Sequence, residues 1–214
     1  AEAGELLSAG QTVQALAILS DLNTRSPDNV PFLVRLASAQ QTAGRLDQAV
    51  ATFQRAIELD PQLEFLHHHL GQAHLTAGRL GAAEEAFRAA LSLDPRFAKA
   101  WLSLAELAHR RDGSAAELQT LQAALDAEVE SVAVLLRLAQ IAMARKDPTA
   151  EEYLARACEL WPELPLPWLM RAQVAIALRD EVRARSFLEQ VIRVAPGSDA
   201  ASQAGVLLSR LRVD

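Results

Sequence analysis

The sequence has little cysteine, few aromatic residues and no excess of positive charge, and each shortage excludes a class of protein. Its 214 residues include a single cysteine, Cys158, which excludes an internal disulfide and a cysteine-rich metal site. Aromatic residues make up 5 % of the chain, which argues against a binding sheet built on aromatic side chains. The formal net charge is −6, so the chain lacks the basic footprint of nucleic-acid binding proteins and we expect no nucleic-acid partner.

Long hydrophobic runs are also missing. No stretch approaches the roughly 18 uninterrupted apolar residues of a membrane-spanning helix, so we expect no membrane insertion. The first ten residues, AEAGELLSAG, have neither the basic segment nor the apolar core of a signal peptide. One cysteine fits the cytoplasm and the periplasm equally, which leaves the localisation open. The amino-acid composition is rich in alanine, leucine and arginine, which favours a bacterial source with GC-rich DNA.

What the sequence does contain is a repeat, and its prolines show the period. Pro27, Pro61 and Pro95 are 34 residues apart, and Pro162 and Pro196 are again 34 apart. The interval from Pro95 to Pro162 is 67 residues, or two periods less one residue. One repeat has therefore lost its proline and one has lost a residue. A period of this length is typical of a two-helix repeat unit.

Small and large residues also recur at fixed positions of the repeat, counting Val30 as position 1. Position 8 is small and holds Ala37, Gly71, Ala105, Ala139 and Ala172. Position 20 is alanine in most copies: Ala15, Ala49, Ala83, Ala150 and Ala184. Position 24 is large and apolar: Leu19, Phe53, Phe87, Leu121, Leu154 and Leu188. In this pattern the sequence resembles the tetratricopeptide repeat (TPR) family over nearly its whole length.

The resemblance implies an all-α fold, a right-handed superhelical solenoid of about five and a half helix hairpins plus a C-terminal capping helix. Small residues at positions 8 and 20 let helix backbones approach closely, and each hairpin covers the apolar face of the one before it. We therefore predict a single solenoid over residues 1–214. Its parts are a truncated first repeat (1–29), repeats at 30–63, 64–97, 98–130, 131–164 and 165–198, and a capping helix at 199–214.

Two repeats depart from the pattern of small residues and leucines. Glu117 stands at position 20, where alanine is expected, and Arg171 stands at position 7, where earlier copies have leucine. A buried unpaired guanidinium is costly, so we expect the helix to be rotated or Arg171 to reach solvent.

The consecutive histidines His67–His69 suggest a metal site. However, neighbouring side chains on a helix point about 100° apart, so the three rings cannot bind one ion together. We expect ordinary packing for Cys158.

In TPR proteins the first helix of each hairpin lines a concave groove, and the resemblance places ligand contacts there. Position 9 carries polar groups able to hydrogen-bond an extended peptide, although glutamine is also an ordinary solvated helix residue. Apolar residues of the C-terminal half are expected to face open space, unless the superhelix closes over them or the terminal helix folds back. The predicted groove residues are Gln72, Leu102, Glu106, Leu136, Gln140, Met143, Leu169, Gln173 and Ile176.

A weaker basic group of Lys99, His109 and Arg110 favours an acidic ligand, with a solvated surface as the alternative. The residues of the family's carboxylate clamp are otherwise missing, because positions 5 and 9 hold Val34 and Ser38 in one repeat and His68 and Gln72 in the next.

The sequence contains no nucleophile elbow, phosphate loop or zinc-spaced histidine pair, so we predict no enzymatic activity and no cofactor. The leading interpretation is a non-catalytic scaffold that binds a peptide or an amphipathic helix of another protein. Two alternatives stay open. The chain is the recognition arm of a larger enzyme, of the glycosyltransferase or hydroxylase type, or it is a scaffold that assembles into homo-oligomers.

Overall fold

A computed structural model of the protein describes Ala9 and residues 11–211, and this part of the chain contains helices and no strand. The half-helix expected over residues 1–9, with Gly10 as its cap, lies outside the described residues apart from Ala9. The helices are α1 (Thr12–Arg25), α2 (Val30–Thr42), α3 (Leu46–Leu59), α4 (Glu64–Thr76), α5 (Leu80–Leu93), α6 (Ala98–Asp112), α7 (Ser114–Asp126), α8 (Val132–Arg145), α9 (Thr149–Leu160), α10 (Pro165–Ala177), α11 (Glu181–Val194) and α12 (Asp199–Arg210).

The helices form two compact units, which we call unit 1 (residues 1–129) and unit 2 (residues 130–214). In unit 1 the hairpins are α2–α3, α4–α5 and α6–α7, with α3 packed on α4 and α5 packed on α6. Unit 2 has the hairpins α8–α9 and α10–α11, with α12 packed on both helices of the second hairpin. The all-α fold of stacked TPR hairpins is confirmed, whereas the single solenoid over residues 1–214 stays a prediction.

The positions that define the repeat are the most deeply buried ones. The position-8 alanines Ala37, Ala139 and Ala172 are completely buried, as is Phe87 at position 24. Gly71 is also at position 8, and a Cβ added there would overlap the ring of Phe87. Packing between helices is thus set by how little side chain stands between their backbones.

Most second helices end just before a proline, as predicted from the period. Helix α3 ends at Leu59, two residues before Pro61, and the residue preceding a proline is disfavoured in helical conformation. Helix α7 lacks this proline and ends in a different way. Glu128 takes a left-handed conformation with φ 56°, and the N–H of Val129 donates to the carbonyl of Ala124. These bonds satisfy carbonyls that the end of the helix would otherwise leave free.

In three repeats the aromatic ring at position 4 contacts the backbone carbonyl of the preceding proline through a ring nitrogen. Trp101 Nε1 donates to the carbonyl oxygen of Pro95 at 2.8 Å, and Trp168 Nε1 donates to that of Pro162 at 3.0 Å. His67 makes the same contact, with its Nε2 at 3.2 Å from the carbonyl oxygen of Pro61. We call this contact the proline clasp.

The expectation for Arg171 is wrong, because the guanidinium is paired inside unit 2. Its side chain is only 18 % exposed, and its Nε and Nη2 donate to Glu151 Oε1 at 3.0 and 2.5 Å. The guanidinium carbon also lies 4.2 Å from the ring centroid of Phe187, in cation–π geometry. Nearby Cys158 is buried, and burial raises the pKa of its thiol to about 11, so the thiol is neutral at pH 7.

The close approach at Gly71 makes a prediction about stability. Gly71→Ala should lower the free energy of unfolding by about 1–3 kcal/mol, because Phe87 must move to admit the methyl group. Gly205→Ala is the matched control: this exposed glycine within α12 has nothing within 4 Å of an added Cβ. Alanine there should stabilise the helix by about 0.5–1 kcal/mol. Urea unfolding followed by circular dichroism measures both, and equal effects would contradict the packing argument.

Candidate functional site

In unit 1, the polar groups of the first helices bond to one another. Gln72 Nε2 donates to Ser103 Oγ at 2.8 Å, and His68 Nε2 lies 3.1 Å from the same hydroxyl. Burial lowers the pKa of His68 to about 4, helped by the nearby charges of His69 and Lys99. His68 is therefore neutral at pH 7, and Nε2 can accept the hydroxyl proton of Ser103. The amide of Gln72, predicted to face a ligand, joins α4 to α6 instead.

Other predicted groove residues of unit 1 also have partners within it. Glu106 is exposed and its Oε1 pairs with Arg110 Nη2 at 2.5 Å. His109 Nδ1 lies 2.8 Å from Oε2 of Glu117, which is buried within the same hairpin. Leu102 is half-buried. Two of the three residues expected to contact an acidic ligand thus have acidic neighbours, whereas Lys99 is exposed and forms no ion pair within the described part of the chain.

In unit 2, the expectation that Leu169 faces open space is wrong. Leu169 is 4 % exposed and packs in a cluster with Ala172, Leu188 and Ala204. Ala204 belongs to α12, so the terminal helix covers this part of α10, as one of the alternatives anticipated. Leu136 is half-buried against a second cluster around Leu154. The apolar surface of unit 2 is therefore smaller than the repeat positions predict.

The remaining groove residues of unit 2 surround a pocket. Gln140 is exposed on α8, and Ile176 is half-buried on α10. Met143 of α8 and Gln173 of α10 line one pocket of about 500 Å³, together with Val174. Two residues predicted from equivalent surfaces of consecutive repeats thus meet at one concave site. We call it the turn pocket, because the turn after α8 forms part of its rim.

Residues that the sequence analysis did not select complete the turn pocket. Lys146, Asp147 and Arg183 contribute charged groups, and Leu178 contributes an apolar one. Leu178 is 66 % exposed, and Val182, four residues later, is 81 % exposed. The signal that could have found them is the turn itself, where this unit departs from the Thr-Ala-Gly-Arg-Leu sequence of the earlier repeats.

The turns of unit 2 use basic residues where unit 1 uses glycine. Gly44 and Gly78 end α2 and α4 with φ of 74° and 73°. Lys146 and Arg179 occupy the equivalent places after α8 and α10 with φ of 56° and 57°. All four N–H groups donate to the carbonyl three residues earlier, so the turns have the same hydrogen bonding. A residue with a side chain pays about 1–2 kcal/mol for this conformation, whereas glycine adopts it freely.

The three consecutive histidines each take a different structural role. His67 forms the proline clasp with Pro61, His68 bonds Ser103, and His69 stacks on Phe53 at 5.6 Å between ring centroids. Among the described residues there is no group of three metal-ligating side chains that could hold an ion. Nor does this part of the chain contain a helix long and apolar enough to cross a bilayer.

The fold and these turns define a helical-repeat protein, and sequence comparison gives its family. Three sequence models, each described as a tetratricopeptide repeat, match residues 6–70, 63–107 and 118–165. The chain belongs to the tetratricopeptide repeat family. No curated protein matches the chain significantly.

Solved structures share the fold at low sequence identity. Yeast Tom70 gives a TM-score of 0.75 at 18 % identity, covering 94 % of this chain and 43 % of Tom70. The C-terminal part of a TPR repeat-containing protein from Cytophaga hutchinsonii gives 0.68 at 17 % identity, covering 100 % of this chain and 88 % of that one. PilF of Pseudomonas aeruginosa gives 0.62 at 19 % identity, covering 96 % and 94 %. This chain thus spans less than half of Tom70.

The buried imidazole of His68 predicts a loss of stability in acid. The folded-state pKa of about 4 lies below the unfolded value near 6.5, so the unfolded chain binds the proton more readily. Stability should be full above about pH 6.5 and fall by roughly 3 kcal/mol as the pH drops towards 4. His68→Gln keeps an acceptor for the Ser103 hydroxyl but cannot titrate, and should flatten the profile over this range. Identical pH profiles of unfolding for parent and variant would contradict the assignment.

Proposed function

We propose that the chain is a non-catalytic scaffold whose first-helix surface in unit 2 binds a peptide or a helix of another protein. The observation that carries the proposal is the turn pocket, where the predicted contact residues Met143 and Gln173 meet. Its volume of about 500 Å³ falls within the usual range of ligand pockets, about 300–1,000 Å³. Both apolar and polar residues line it, a mixture that is common in ligand pockets.

The contrast between the two units supports this location. In unit 1 the position-9 side chains are used locally: Ser38 Oγ donates to the carbonyl of Val34, Gln72 donates to Ser103, and Glu106 pairs with Arg110. In unit 2, Gln140 is exposed and its Oε1 accepts from Arg137 Nη1 at 3.3 Å, whereas Gln173 lines the pocket. Within the described chain the side-chain NH2 of each amide makes no hydrogen bond, so it can donate to the backbone carbonyl of an extended ligand.

The groups with the largest pKa shifts support a non-catalytic role. Burial keeps His68 and Cys158 neutral at pH 7, and both lie inside the helix packing rather than around the turn pocket. A general base or a nucleophile needs a pKa near the working pH and access to a substrate. These two residues are therefore best explained as parts of the packing.

Affinity capture with matched variants tests the proposal. The tagged chain is used to capture proteins from extracts, and each recovered partner is then titrated against a Gln140→Glu and Gln173→Glu double variant. We expect binding to weaken about 10-fold or more, because both amide donors to the ligand are lost. Substituting Leu169 is avoided, since its burial would confuse binding with folding.

A Gln54→Glu and Gln122→Glu double variant is the control, because it makes the same charge change at exposed sites on the second helices α3 and α7. It should bind as the parent does. Equal binding by parent, test variant and control would overturn the proposed surface. Recovery of the chain itself as its sole partner would favour self-assembly instead.

A further inference from the structure

The charges that line the turn pocket are balanced. Lys146 and Arg183 line it together with Asp147 and Glu151. Arg183 Nε pairs with Asp180 Oδ2 at 2.6 Å, and Asp147 Oδ1 accepts two hydrogen bonds from the first residue of α9 at 2.9 and 2.8 Å. Outside the lining, three exposed charged side chains without a partner in the described chain stand beside these turns: Glu152, Arg179 and Glu181. The pocket therefore has no excess charge that would select an acidic or a basic ligand.

The rest of the lining is apolar apart from one amide. Gln173 contributes this amide, and neither its NH2 group nor its oxygen makes a hydrogen bond within the described chain. The apolar residues of the lining are Met143, Pro148, Ala150, Val174, Ala177 and Leu178. Leu178 is 66 % exposed, so apolar surface continues beyond the pocket. Walls of this kind favour a ligand group with an apolar body and few polar atoms.

Glu151 offers the pocket a hydrogen-bond acceptor, because only one of its carboxylate oxygens has a partner. Arg171 donates from Nε and Nη2 to the same oxygen, Oε1, at 3.0 and 2.5 Å. Oε2 makes no hydrogen bond within the described chain and is not buried, and the side chain as a whole is 31 % exposed. A carboxylate oxygen has lone pairs for more than one donor. The lone pairs of Oε2 are thus available to a donor that enters the pocket.

The charge of Glu151 is already compensated by its surroundings. Arg171 pairs with it directly, and the guanidinium carbon is held 4.2 Å from the ring centroid of Phe187 in cation–π geometry. Arg183 also interacts electrostatically with the Glu151 carboxylate. The carboxylate therefore needs no further cation, yet an oxygen that carries negative charge remains a strong acceptor. This combination favours a neutral donor over the side chain of lysine or arginine.

The pair formed by Arg171 and Glu151 stands where unit 1 has an apolar contact. Arg171 is at position 7 and Glu151 directly follows position 20. The equivalent residues Leu70 and Val50 of unit 1 pack in one apolar cluster. A buried ion pair is in general no more stabilising than such a contact, because both charges lose their hydration. What the ion pair adds is an acceptor at the wall of the pocket, which the apolar contact cannot supply.

We propose that the turn pocket binds a tyrosine side chain of the partner, with the ring against the apolar walls and the hydroxyl donating to Glu151 Oε2. Tyrosine combines an apolar ring with a neutral hydroxyl that both donates and accepts, so its oxygen can also accept from the NH2 group of Gln173. Phenylalanine has no donor, and tryptophan only donates. The single tyrosine of this chain, Tyr153, is half-buried in unit 2, so the partner is a different protein. The inference rests on the proposed function and names the side chain that the pocket binds.

Selection from a random twelve-residue phage library on the whole chain tests the identity of the side chain. We expect tyrosine to be enriched at one position of the selected peptides. Synthetic forms of the best peptide with tyrosine or phenylalanine at that position are then titrated by fluorescence anisotropy. The tyrosine form should bind about 10-fold or more tightly, because the phenylalanine form lacks a hydrogen bond to a charged acceptor. Equal binding of the two forms, enrichment of another residue type instead of tyrosine, or no enrichment would overturn the inference.

A Glu151→Val and Arg171→Leu double variant removes the acceptor together with the residue that positions it. It introduces the residue types of the equivalent contact in unit 1, and replacing a buried ion pair by apolar residues often leaves stability unchanged or higher. The tyrosine and phenylalanine forms should bind this variant equally. An Asp21→Asn and Arg25→Gln double variant removes an exposed ion pair of α1 and should keep the full preference for tyrosine. Damage to the fold would weaken both forms alike, so a preference that persists without Glu151 and Arg171 would overturn the site.

Two outcomes separate this inference from the proposed function. Captured partners that depend on Gln140 and Gln173 but bind the Glu151→Val and Arg171→Leu variant as tightly as the parent would leave the scaffold function standing and remove the tyrosine assignment. Captured partners that bind the Gln140→Glu and Gln173→Glu variant as tightly as the parent would instead contradict the proposed surface, and the inference would fall with it.

Discussion

Helix backbones in this chain come close together only where almost no side chain separates them, and both units depend on that constraint. Ala37, Ala139 and Ala172 are completely buried at position 8, and at Gly71 even a methyl group would overlap its neighbour. Close-packed interiors leave no space for a larger residue, so small residues recur at fixed positions and the repeat can be recognised in the sequence. Where position 20 carries Glu117 instead, the buried carboxylate has His109 as a neighbour in the same hairpin. That hairpin is the last of unit 1.

The ends of the helices show how one architecture accepts different local solutions. Proline follows most second helices, whereas α7 ends through a left-handed Glu128 and backbone hydrogen bonds. The first helices of unit 1 end on glycine, and those of unit 2 on Lys146 and Arg179. Each solution satisfies the carbonyls left over at a helix end, but they differ in what they present outside the fold. Glycine presents only backbone, while lysine and arginine present long cations.

The sequence predicts the structural features that depend on position within the repeat. It does not predict the contacts that a side chain makes with residues outside its own repeat. Helix pairs, buried alanines and the ends before proline follow from position alone. Leu169 could not be placed, because its burial depends on α12, which follows the last full repeat. Arg171 could not be placed either, since its carboxylate is 20 residues away in α9 and its aromatic neighbour Phe187 lies on α11. The turn pocket was half predicted: Met143 and Gln173 follow from their positions, whereas Lys146 and Leu178 depend on the altered turns.

The proline clasp gives the two units separate optical reporters. Trp101 lies in unit 1 and Trp168 in unit 2, and both indoles donate to a proline carbonyl six residues earlier. The chain contains three tryptophans, and the remaining one, Trp161, also belongs to unit 2. Replacing Trp161 with phenylalanine would therefore leave one indole in each unit, each with the same hydrogen bond to a proline carbonyl. Intrinsic fluorescence and its quenching could then follow each unit on its own as the chain is denatured, with no external dye attached.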